Sequence, residues 1–440
     1  MSAVVREPLV GAVVITGGIP AAVGASDSAL TRVTQGLSLA TLAIAPVFLV
    51  VSGDPSRWKR GVIVQLVDVL LVVLAIVGAA GIVRESVRDR RSPTAALLAV
   101  FAALSVAFVV HPSTTGMMVL LRFAGAMTLA HTLADASPSL RSRAARVWLA
   151  WTFIEALIVV LQVSLGRSIG VPGEVGIPFE ELGGFKVPTG TSYGPHPIAA
   201  MGLVGIGVAV FGLHHRLVSK RWASLGASGG AVIVGVTCGT AGAISLTALL
   251  AAASIRAVRL RPSRDHASVV PVLLVVAVSF GLAAGMSLDG WRFKAERSAT
   301  TDVVAASNGR AGMIDEAVAM IKRWPLLGVG PGRFMATRDA NPEIKALASE
   351  DQQVHNVALL IVTESGVLGA AALATLALSM VRRMRGQPYA ITLLVAMIGH
   401  VLFDHAPWTF GFGMVQLAIV LGFAAAKTDP TGVEQSTQKS

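Results

Sequence analysis

The side chains best suited to chemistry in this sequence lie in and beside one polar segment, residues 287–354. Arg310 lies within it, His355-Asn356 follows it directly, and Glu364 comes shortly afterwards in an apolar stretch. A histidine can take up a proton near neutral pH, and a guanidinium group binds phosphate oxygens in a bidentate geometry. These residues therefore predict a site in which Arg310 holds an anion, such as a diphosphate, near a general base.

The polar segment also predicts a helix that ends in a glycine-rich turn. Apolar residues recur at helical spacing, at Ile314, Ala317, Val318 and Ile321. The charged residues Asp315, Glu316, Lys322 and Arg323 lie on the other face. This pattern predicts an amphipathic helix at the membrane surface, either as a lid over a cavity or as a helix that only packs on the membrane helices. Pro325 and the run Gly328-Val329-Gly330-Pro331-Gly332 end the helix. The N–H groups of Gly328 and Gly330 are candidates for binding the same anion, although such turns are common.

Other polar residues are weaker candidates for the same site. They are Arg333 and Arg338 after the turn, Tyr193, His196 and Pro197 after a shorter polar loop, and the group His400, Asp404 and His405. Glu364 is notable because an ionisable group at membrane depth is costly and usually paired or functional. A lone histidine at a membrane boundary, such as His355, is often only an interfacial residue. Without an H-E-x-x-H motif or a dense carboxylate group, the sequence predicts neither a metal site nor a cofactor.

The composition predicts an all-α polytopic membrane protein. Of the 440 residues, 54% are hydrophobic and 14% charged, and the mean hydropathy is +0.70. The single cysteine, Cys238, excludes an internal disulfide and a cysteine metal cage. The net charge of +11 is explained by basic cytoplasmic loops beside anionic lipid, so we expect membrane lipid and no nucleic acid as a partner.

Apolar stretches of sufficient length predict about 12 (11–13) transmembrane helices. The candidate spans are Leu9–Ala25, Gln35–Ser52, Gly61–Val83, Thr94–Val110, Met117–Ala134, Val147–Leu165, Ile198–Leu213, Leu225–Thr237, Ala241–Ile255, Ser268–Met286, His355–Met380, Tyr389–Phe403 and Phe410–Ala426. They divide the chain into membrane helices over 1–286, a large extracytoplasmic loop over 287–354, membrane helices over 355–426 and a disordered cytoplasmic tail over 427–440. The small-residue run Cys238–Gly242 predicts a turn between two short helices.

Basic clusters predict the orientation of the chain. The clusters Arg84–Arg91, Arg141–Arg146, His214–Arg221, Arg256–Arg264 and Arg382–Arg385 fall on one side if the spans alternate, and that side should be cytoplasmic. Arg57, Lys59 and Arg60 fall on the other side. Either an early span is miscounted, or these residues face an anion outside the cell membrane. The loops 166–195 and 287–354 are then extracytoplasmic.

Taken together, the motifs resemble the O-antigen ligase and Wzy-type polymerase superfamily. The resemblance rests on Asn308-Gly309-Arg310, the segment Trp324–Gly332, His355-Asn356, Glu364-Ser365-Gly366-Val367-Leu368-Gly369, and the upstream stretch Thr189–Ala199 within the region 185–265. It covers roughly residues 185–380.

The resemblance implies a metal-independent, inverting glycan transfer at the outer face of the cytoplasmic membrane. The donor would be a glycan on undecaprenyl pyrophosphate, and the acceptor a hydroxyl of a second glycan or lipid. His355 would be the catalytic base and Arg310 would hold the diphosphate, with Arg333, Gly328, Gly330, Asn356, Glu364 and His196 as further substrate-binding candidates.

Two departures from the family pattern affect the expected site. The arginine of the usual Ser-Arg-Gly is absent at Cys238–Gly242, and so is the asparagine of an upstream Pro-Asn. The alternatives to a polymerase or ligase are a transporter or flippase of envelope precursors, and a nonenzymatic scaffold. Distinctive residues concentrated in an outer loop favour the enzyme, because transporters usually bind substrate at mid-membrane.

Overall fold

A computed structural model of the chain is almost entirely helical. It describes residues 22–47, 49–52, 64–171, 180–182, 185–192, 194–259, 269–300, 310–348, 352–385, 387 and 389–426. Several features of the sequence lie outside these residues: most of the span Leu9–Ala25, the basic group Arg57, Lys59 and Arg60, residue Tyr193, the pair Asn308-Gly309, and the tail 427–440.

The helices follow one another along the chain with short connections. They are α1 (Ala22–Ile44), α2 (Leu66–Arg88), α3 (Pro93–Val110), α4 (Thr114–Asp135), α5 (Pro138–Leu165), α6 (Pro195–His214), α7 (Lys220–Thr237), α8 (Thr240–Arg259), α9 (Val269–Met286), α10 (Leu288–Thr300), α11 (Arg310–Arg323), α12 (Phe334–Asp339), α13 (Pro342–Lys345), α14 (Val357–Met384), α15 (Ala390–Phe403), α16 (Ala406–Thr409) and α17 (Gly411–Ala424). Two small antiparallel hairpins, β1 (Val50–Ser52) with β2 (Val64–Gln65) and β3 (Glu180–Leu182) with β4 (Phe185–Val187), lie in connections.

The prediction of an all-α polytopic membrane protein is confirmed. Eight of the described helices are long and apolar enough to cross a membrane: α2 to α6, α8, α9 and α14. The apolar helices α15 and α17 are shorter, and α1 and α7 pack in the same bundle. This makes twelve bundle helices within the described part of the chain, of which eight have the length and hydropathy of a membrane span, so the number of about 12 transmembrane helices stays a prediction.

Two predicted spans have the wrong boundaries: Gly61–Val83 includes strand β2, since α2 begins only at Leu66, and Gln35–Ser52 extends beyond α1. Helix α1 ends at Ile44, and Val50–Ser52 is a strand. Pro46 explains the end, since proline disfavours a helical conformation of the residue before it.

Local sequence signals set several helix ends. Ser92-Pro93 and Ser137-Pro138 start α3 and α5, with each serine side chain accepting from a first-turn amide. Helix α7 ends at Thr237, its C-cap Cys238 has a left-handed φ of 49°, and α8 starts at Thr240. The predicted turn between two helices is therefore confirmed.

The helix ends form two opposite faces of the bundle. On the first, which we call the site face, the turn Gly330–Gly332 meets the α3–α4 corner, because a Cβ on Gly332 would lie 2.8 Å from Thr115. On the second, the basic face, Ser142 at the start of α5 donates to Leu217 O (2.6 Å) after α6. The described parts of the five basic clusters all lie at the basic face.

Helix α6 is the centre of the bundle and joins the two faces. It is buried along almost its whole length and packs on α5, α7, α15 and α17. Gly202 on α6 faces Gly230 on α7, where an added Cβ on either would overlap or crowd the other's carbonyl oxygen. Small residues thus allow the close helix contact typical of membrane bundles. Since α6 begins at the site face, it fixes His196 there.

Candidate active site

The glycine-rich turn after α11 is inserted into an opening in helix α14. Inside α14, Gly366 leaves the helical conformation (φ 62°, ψ −151°). The carbonyls freed by this break accept hydrogen bonds from the turn: Val329 N donates to Thr363 O, and Gly330 N donates to Glu364 O, both at 3.0 Å. In return, Val367 N donates to a carbonyl of the turn. The loop therefore satisfies backbone groups that would otherwise be unpaired within the membrane helix.

Glycines are required on both sides of this junction. Gly328 has a φ of 66°, and a Cβ there would overlap the backbone at Glu364. A Cβ on Gly366 would overlap the backbone at Leu326. The amide of Gly328 is also occupied, by Trp324 O at 3.1 Å. The structure thus assigns the amides of Gly328 and Gly330 to the protein's own carbonyls, and their use in anion binding stays a prediction.

Glu364 joins the turn to the short helix α16. Its Oε1 accepts from Gly332 N (2.8 Å), and its Oε2 accepts from Trp408 Nε1 (3.4 Å). The side chain is 1% exposed. Both carboxylate oxygens are therefore bonded within the protein, and this geometry favours a positioning role. Direct binding of substrate by Glu364 stays a prediction.

His355 lies at the start of α14, beside a second histidine. Its ring centroid is 5.0 Å from that of His405, with the planes at 73°. The neighbouring Asn356 caps α14 by accepting from Leu359 N (2.8 Å), and its Nδ2 donates to Leu402 O (3.2 Å) at the end of α15. Asn356 thus holds the helix that carries His355 against the helix that leads to His405.

Two side chains hold the ring of His405. Gln353 Nε2 lies 2.9 Å from His405 Nδ1 and 2.7 Å from Thr409 Oγ1, and Thr409 Oγ1 is 3.0 Å from the same Nδ1. These contacts fix the orientation of the His405 imidazole. Sequence reasoning missed both Gln353 and Thr409, which carry no motif.

Arg310, His355 and Asp404 come from separate parts of the chain and meet at the site face. The charges of Asp404, Arg310 and His196 all act on the imidazole of His355. His400 lies in the same group, next to Asp404 and His196. We call these residues, with His405, the histidine cluster. The weaker candidates His196, His400, Asp404 and His405 are thus brought together with the strongest ones.

Polar atoms of the histidine cluster are left without partners. Within the described residues, His355 Nδ1 and Asp404 Oδ2 are buried and accept or donate no hydrogen bond. The other oxygen of Asp404, Oδ1, accepts from Ala406 N (3.0 Å). Buried polar groups are normally paired, and exceptions need an explanation such as a ligand or a catalytic role.

The electrostatics of the cluster keep His355 neutral at physiological pH. Burial lowers the pKa of His355 to about 4, and the charges of His405, Arg310 and His196 act in the same direction against Asp404. Burial by itself would raise the pKa of Asp404, but the nearby His196 and His405 and the Ala406 amide lower it overall. The cluster thus holds a neutral imidazole, which can accept a proton, beside a carboxylate and a guanidinium group.

A buried ion pair beneath the cluster supports α16. Arg122 on α4 makes a bidentate pair with Asp68 on α2 (2.8 and 2.6 Å) and donates to Thr409 O (2.6 Å). Arg122 and Asp68 are ionisable residues within predicted spans, and that cost could have identified them from the sequence. They position the turn whose Thr409 side chain contacts His405.

The other predicted cations have different positions. Arg338 makes a buried pair with Glu316 on α11 (2.6 Å), so the prediction that Glu316 lies on the polar face of this helix is wrong. The pairing neutralises Glu316 and allows its burial, whereas Ile314, on the predicted apolar face, is 45% exposed. Arg333 lies at the α3–α4 corner beside His111, whose pKa is lowered by burial and by Arg333.

Lys294 on α10 brings a cation to the α7–α8 corner. Its Nζ donates to Cys238 O, and the nearby Trp291 Nε1 donates to Gly235 O (2.8 Å). A Cβ built on Gly239 would lie 4.0 Å from His196 Nδ1, so the corner adjoins the histidine cluster. Lys294 therefore lies on the far side of the corner where an arginine was expected and is absent.

The upstream motif forms a turn that anchors the start of α6. Gln162 on α5 accepts from Gly190 N (2.9 Å) and donates to Gly190 O (3.1 Å). Glu155 accepts from Thr191 N (3.1 Å) and from the Thr191 hydroxyl. The segment before His196 is thus tied to α5.

Comparisons with known proteins identify the central part of the chain. Residues 192–374 match a family model described as O-Antigen ligase. The match includes His196, Arg310 and His355, and it ends before Asp404 and His405. A search of curated proteins found no match. Within the described residues, no group of three His, Cys, Asp or Glu is arranged to hold a metal ion.

Proposed function

We propose that this chain, whose residues 192–374 match a family model described as O-Antigen ligase, transfers a glycan from undecaprenyl pyrophosphate to a hydroxyl acceptor. The acceptor is a second glycan, for a polymerase, or a lipid, for a ligase. One observation carries the proposal: Arg310 and a neutral His355 from separate segments meet at the site face beside buried polar atoms without partners.

We place the reaction at the outer face of the cytoplasmic membrane. The basic clusters lie together at the opposite face, and excess Arg and Lys marks the cytoplasmic side of a membrane protein. The histidine cluster lies at the helix ends of the site face, beside the loop helices α10 and α11. This location supports an enzyme over the alternative transporter, in which substrate is usually bound at mid-membrane.

In the proposed step, the acceptor hydroxyl oxygen attacks the anomeric carbon of the donor glycan. The bond between that carbon and the diphosphate oxygen breaks, and undecaprenyl pyrophosphate leaves with the electron pair. His355 takes the hydroxyl proton and later releases it to solvent. A displacement in one step inverts the anomeric configuration and requires no metal, provided that protein cations stabilise the leaving diphosphate.

Two cations are assigned to the diphosphate in this proposal. Arg310 lies in the cluster, where burial lowers the pKa of its guanidinium group and Asp404 raises it. Lys294 approaches from the α7–α8 corner, where its Nζ donates to Cys238 O. A bound diphosphate would also raise the pKa of His355 towards neutrality and make it a stronger base.

The test is a transfer assay with the purified protein and a lipid-pyrophosphate oligosaccharide, in the presence of a metal chelator. We expect a lengthened or acceptor-linked glycan, together with free undecaprenyl pyrophosphate. Arg310→Gln should raise the KM for the donor and lower kcat. Arg323→Gln is a matched control, because Arg323 ends the same helix, is 53% exposed and pairs with Glu343.

Movement of the donor across a vesicle membrane without any glycan transfer would instead support the transporter. Full activity of Arg310→Gln would reject the assignment of Arg310. Loss of activity on chelation, restored by a divalent cation, would reject metal independence.

A further inference from the structure

A cationic cavity lies at the basic face, at the opposite end of α6 from the histidine cluster. Its volume is about 450 Å³. It is lined by Ser142 and Arg146 on α5, the connection Leu213, Arg216, Leu217, Val218 and Ser219, and Lys220 at the start of α7. Helix α6 has 20 residues, which span roughly 30 Å, about the thickness of the hydrocarbon core. The cavity is therefore separate from the proposed active site.

The charge of this cavity is one-sided. Three cations, Arg146, Arg216 and Lys220, line it, and its lining contains no carboxylate. Among the described residues, Arg146 and Lys220 make no ion pair with an acidic side chain. Like charges held close together repel one another, so an anion bound between Arg146 and Lys220 would be stabilised by both.

The cavity wall is held in place by specific bonds. The Ser142 hydroxyl donates to Leu217 O (2.6 Å), and Arg146 Nη2 donates to Ser142 Oγ (3.0 Å). These bonds tie the α6–α7 connection to α5. Arg216 adopts a left-handed φ of 55°, an unfavourable conformation for a residue with a side chain. The α6–α7 connection is therefore tied to α5, and Arg146 is held at its edge.

The surroundings of the cavity indicate a membrane lipid as the source of the anion. Trp222 and Leu225 follow Lys220 on α7, and their side chains are 37% and 46% exposed. An exposed tryptophan is typical of the interface between lipid headgroups and acyl chains. The cations therefore lie at headgroup depth, with an apolar helix surface directly below them for an acyl chain.

We propose that this cavity binds the phosphate headgroup of an anionic phospholipid in the leaflet at the basic face. The phosphate is held by Arg146, Arg216 and Lys220, and the acyl chains lie along Trp222 and Leu225. The proposal does not depend on the reaction at the site face. It concerns a resident lipid and not the glycan donor, which binds at the opposite end of α6.

The test measures lipid binding by the full-length protein in detergent. Phosphatidylglycerol and phosphatidylcholine with the same acyl chains are titrated, and bound lipid is counted by native mass spectrometry while the thermal midpoint is recorded. We expect one phosphatidylglycerol to bind preferentially and to raise the midpoint. Inorganic phosphate and glycerol phosphate, added alone, should not reproduce either effect.

Variants locate the bound lipid. Arg146→Gln/Lys220→Gln should weaken phosphatidylglycerol binding about tenfold, because each basic residue contributes to the attraction of an anionic lipid. Arg90→Gln/Arg91→Gln is a matched control that removes the same charge from exposed positions on the same face, and it should bind like the wild type. The midpoint without added lipid checks that both variants are folded.

Three results would overturn the proposal. Equal weakening in both double variants would show that only the overall charge of the face attracts lipid. Equal binding of the two lipids would show that no headgroup site exists. Saturation by inorganic phosphate alone would assign the cavity to a soluble anion.

Discussion

The junction between the glycine turn and α14 differs from the histidine cluster in how its polar groups are paired. At the junction, the amides of Gly328, Val329, Gly330 and Gly332 all donate within the protein. At the cluster, His355 Nδ1 and Asp404 Oδ2 are buried without a hydrogen-bond partner among the described residues. The two regions are connected by the carboxylate of Glu364.

This difference indicates that the junction is part of the structural scaffold and that the histidine cluster is the functional site. A region in which each donor is satisfied stabilises one conformation, whereas buried groups without partners cost free energy and persist where function requires them. We therefore expect substitutions at the junction to reduce stability first. Substitutions in the cluster should reduce activity while the fold is retained.

The largest loss of stability is expected from the ion pair beneath the cluster. Arg122→Met leaves Asp68 buried and unpaired, which should lower the free energy of unfolding by about 3–5 kcal/mol. Thermal unfolding in detergent measures this effect. The double variant Asp68→Asn/Arg122→Met should recover part of the loss. An unchanged thermal midpoint in Arg122→Met would show that this ion pair does not stabilise the fold.

The junction itself is tested by adding a methyl group to its glycines. Gly328→Ala and Gly366→Ala should each destabilise the protein by about 1–3 kcal/mol, because alanine disfavours the backbone conformation of these residues. Overlap of the added Cβ with the facing backbone should add to this loss. Gly281→Ala on α9 is the control, since a Cβ there meets no atom within 4 Å. Wild-type stability of Gly366→Ala would show that the insertion of the loop into α14 does not stabilise the protein.

A smaller loss of stability is expected at Asn356, which caps α14 beside the histidine cluster. Asn356→Ala removes the cap of α14 and should cost about 1 kcal/mol. It also frees the end of α15, so kcat should fall through displacement of His355, while the KM for the donor changes little. Asn356→Asp preserves the cap but loses the donor to Leu402 O, so it should restore the capping part of the stability and not kcat. Equal stability of Asn356→Ala and the wild type would contradict the capping role.

The smallest expected effect is a shift in the pH profile. His355 acts in its neutral form, so kcat/KM should fall as the pH decreases through its pKa of about 4. The charge of His405 lowers that pKa, so His405→Gln should raise it and move the acid limb to higher pH. The profile of kcat/KM measures this shift. Movement of the limb to lower pH would contradict the proposed electrostatics.

Much of the scaffold was predictable from the sequence because local signals determine it. Length and hydropathy predicted the helices, and the small-residue run at Cys238 predicted the turn between α7 and α8. Gln35–Ser52 failed because Pro46 interrupts an otherwise apolar stretch. The prediction that Glu316 lies on the polar face of α11 was wrong, because the cation that allows its burial, Arg338, lies on another helix.

The site was predictable only in part. The sequence indicated Arg310, His355 and Asp404, but their proximity depends on contacts between α11, α14 and α15 that no local pattern encodes. Gln353 and Lys294 have no motif at all and were found only through their hydrogen bonds. The insertion of the glycine turn into α14 also depends on the break at Gly366, which lies far from the turn in the sequence.

The most direct test of the account is glycan transfer by His355→Ala at neutral pH, with thermal stability measured on the same sample. We expect transfer from the lipid-pyrophosphate donor to fall by about 10²–10⁴-fold, while the thermal midpoint stays at the wild-type value. Wild-type turnover by a folded His355→Ala protein would contradict the assignment of the histidine cluster as the active site.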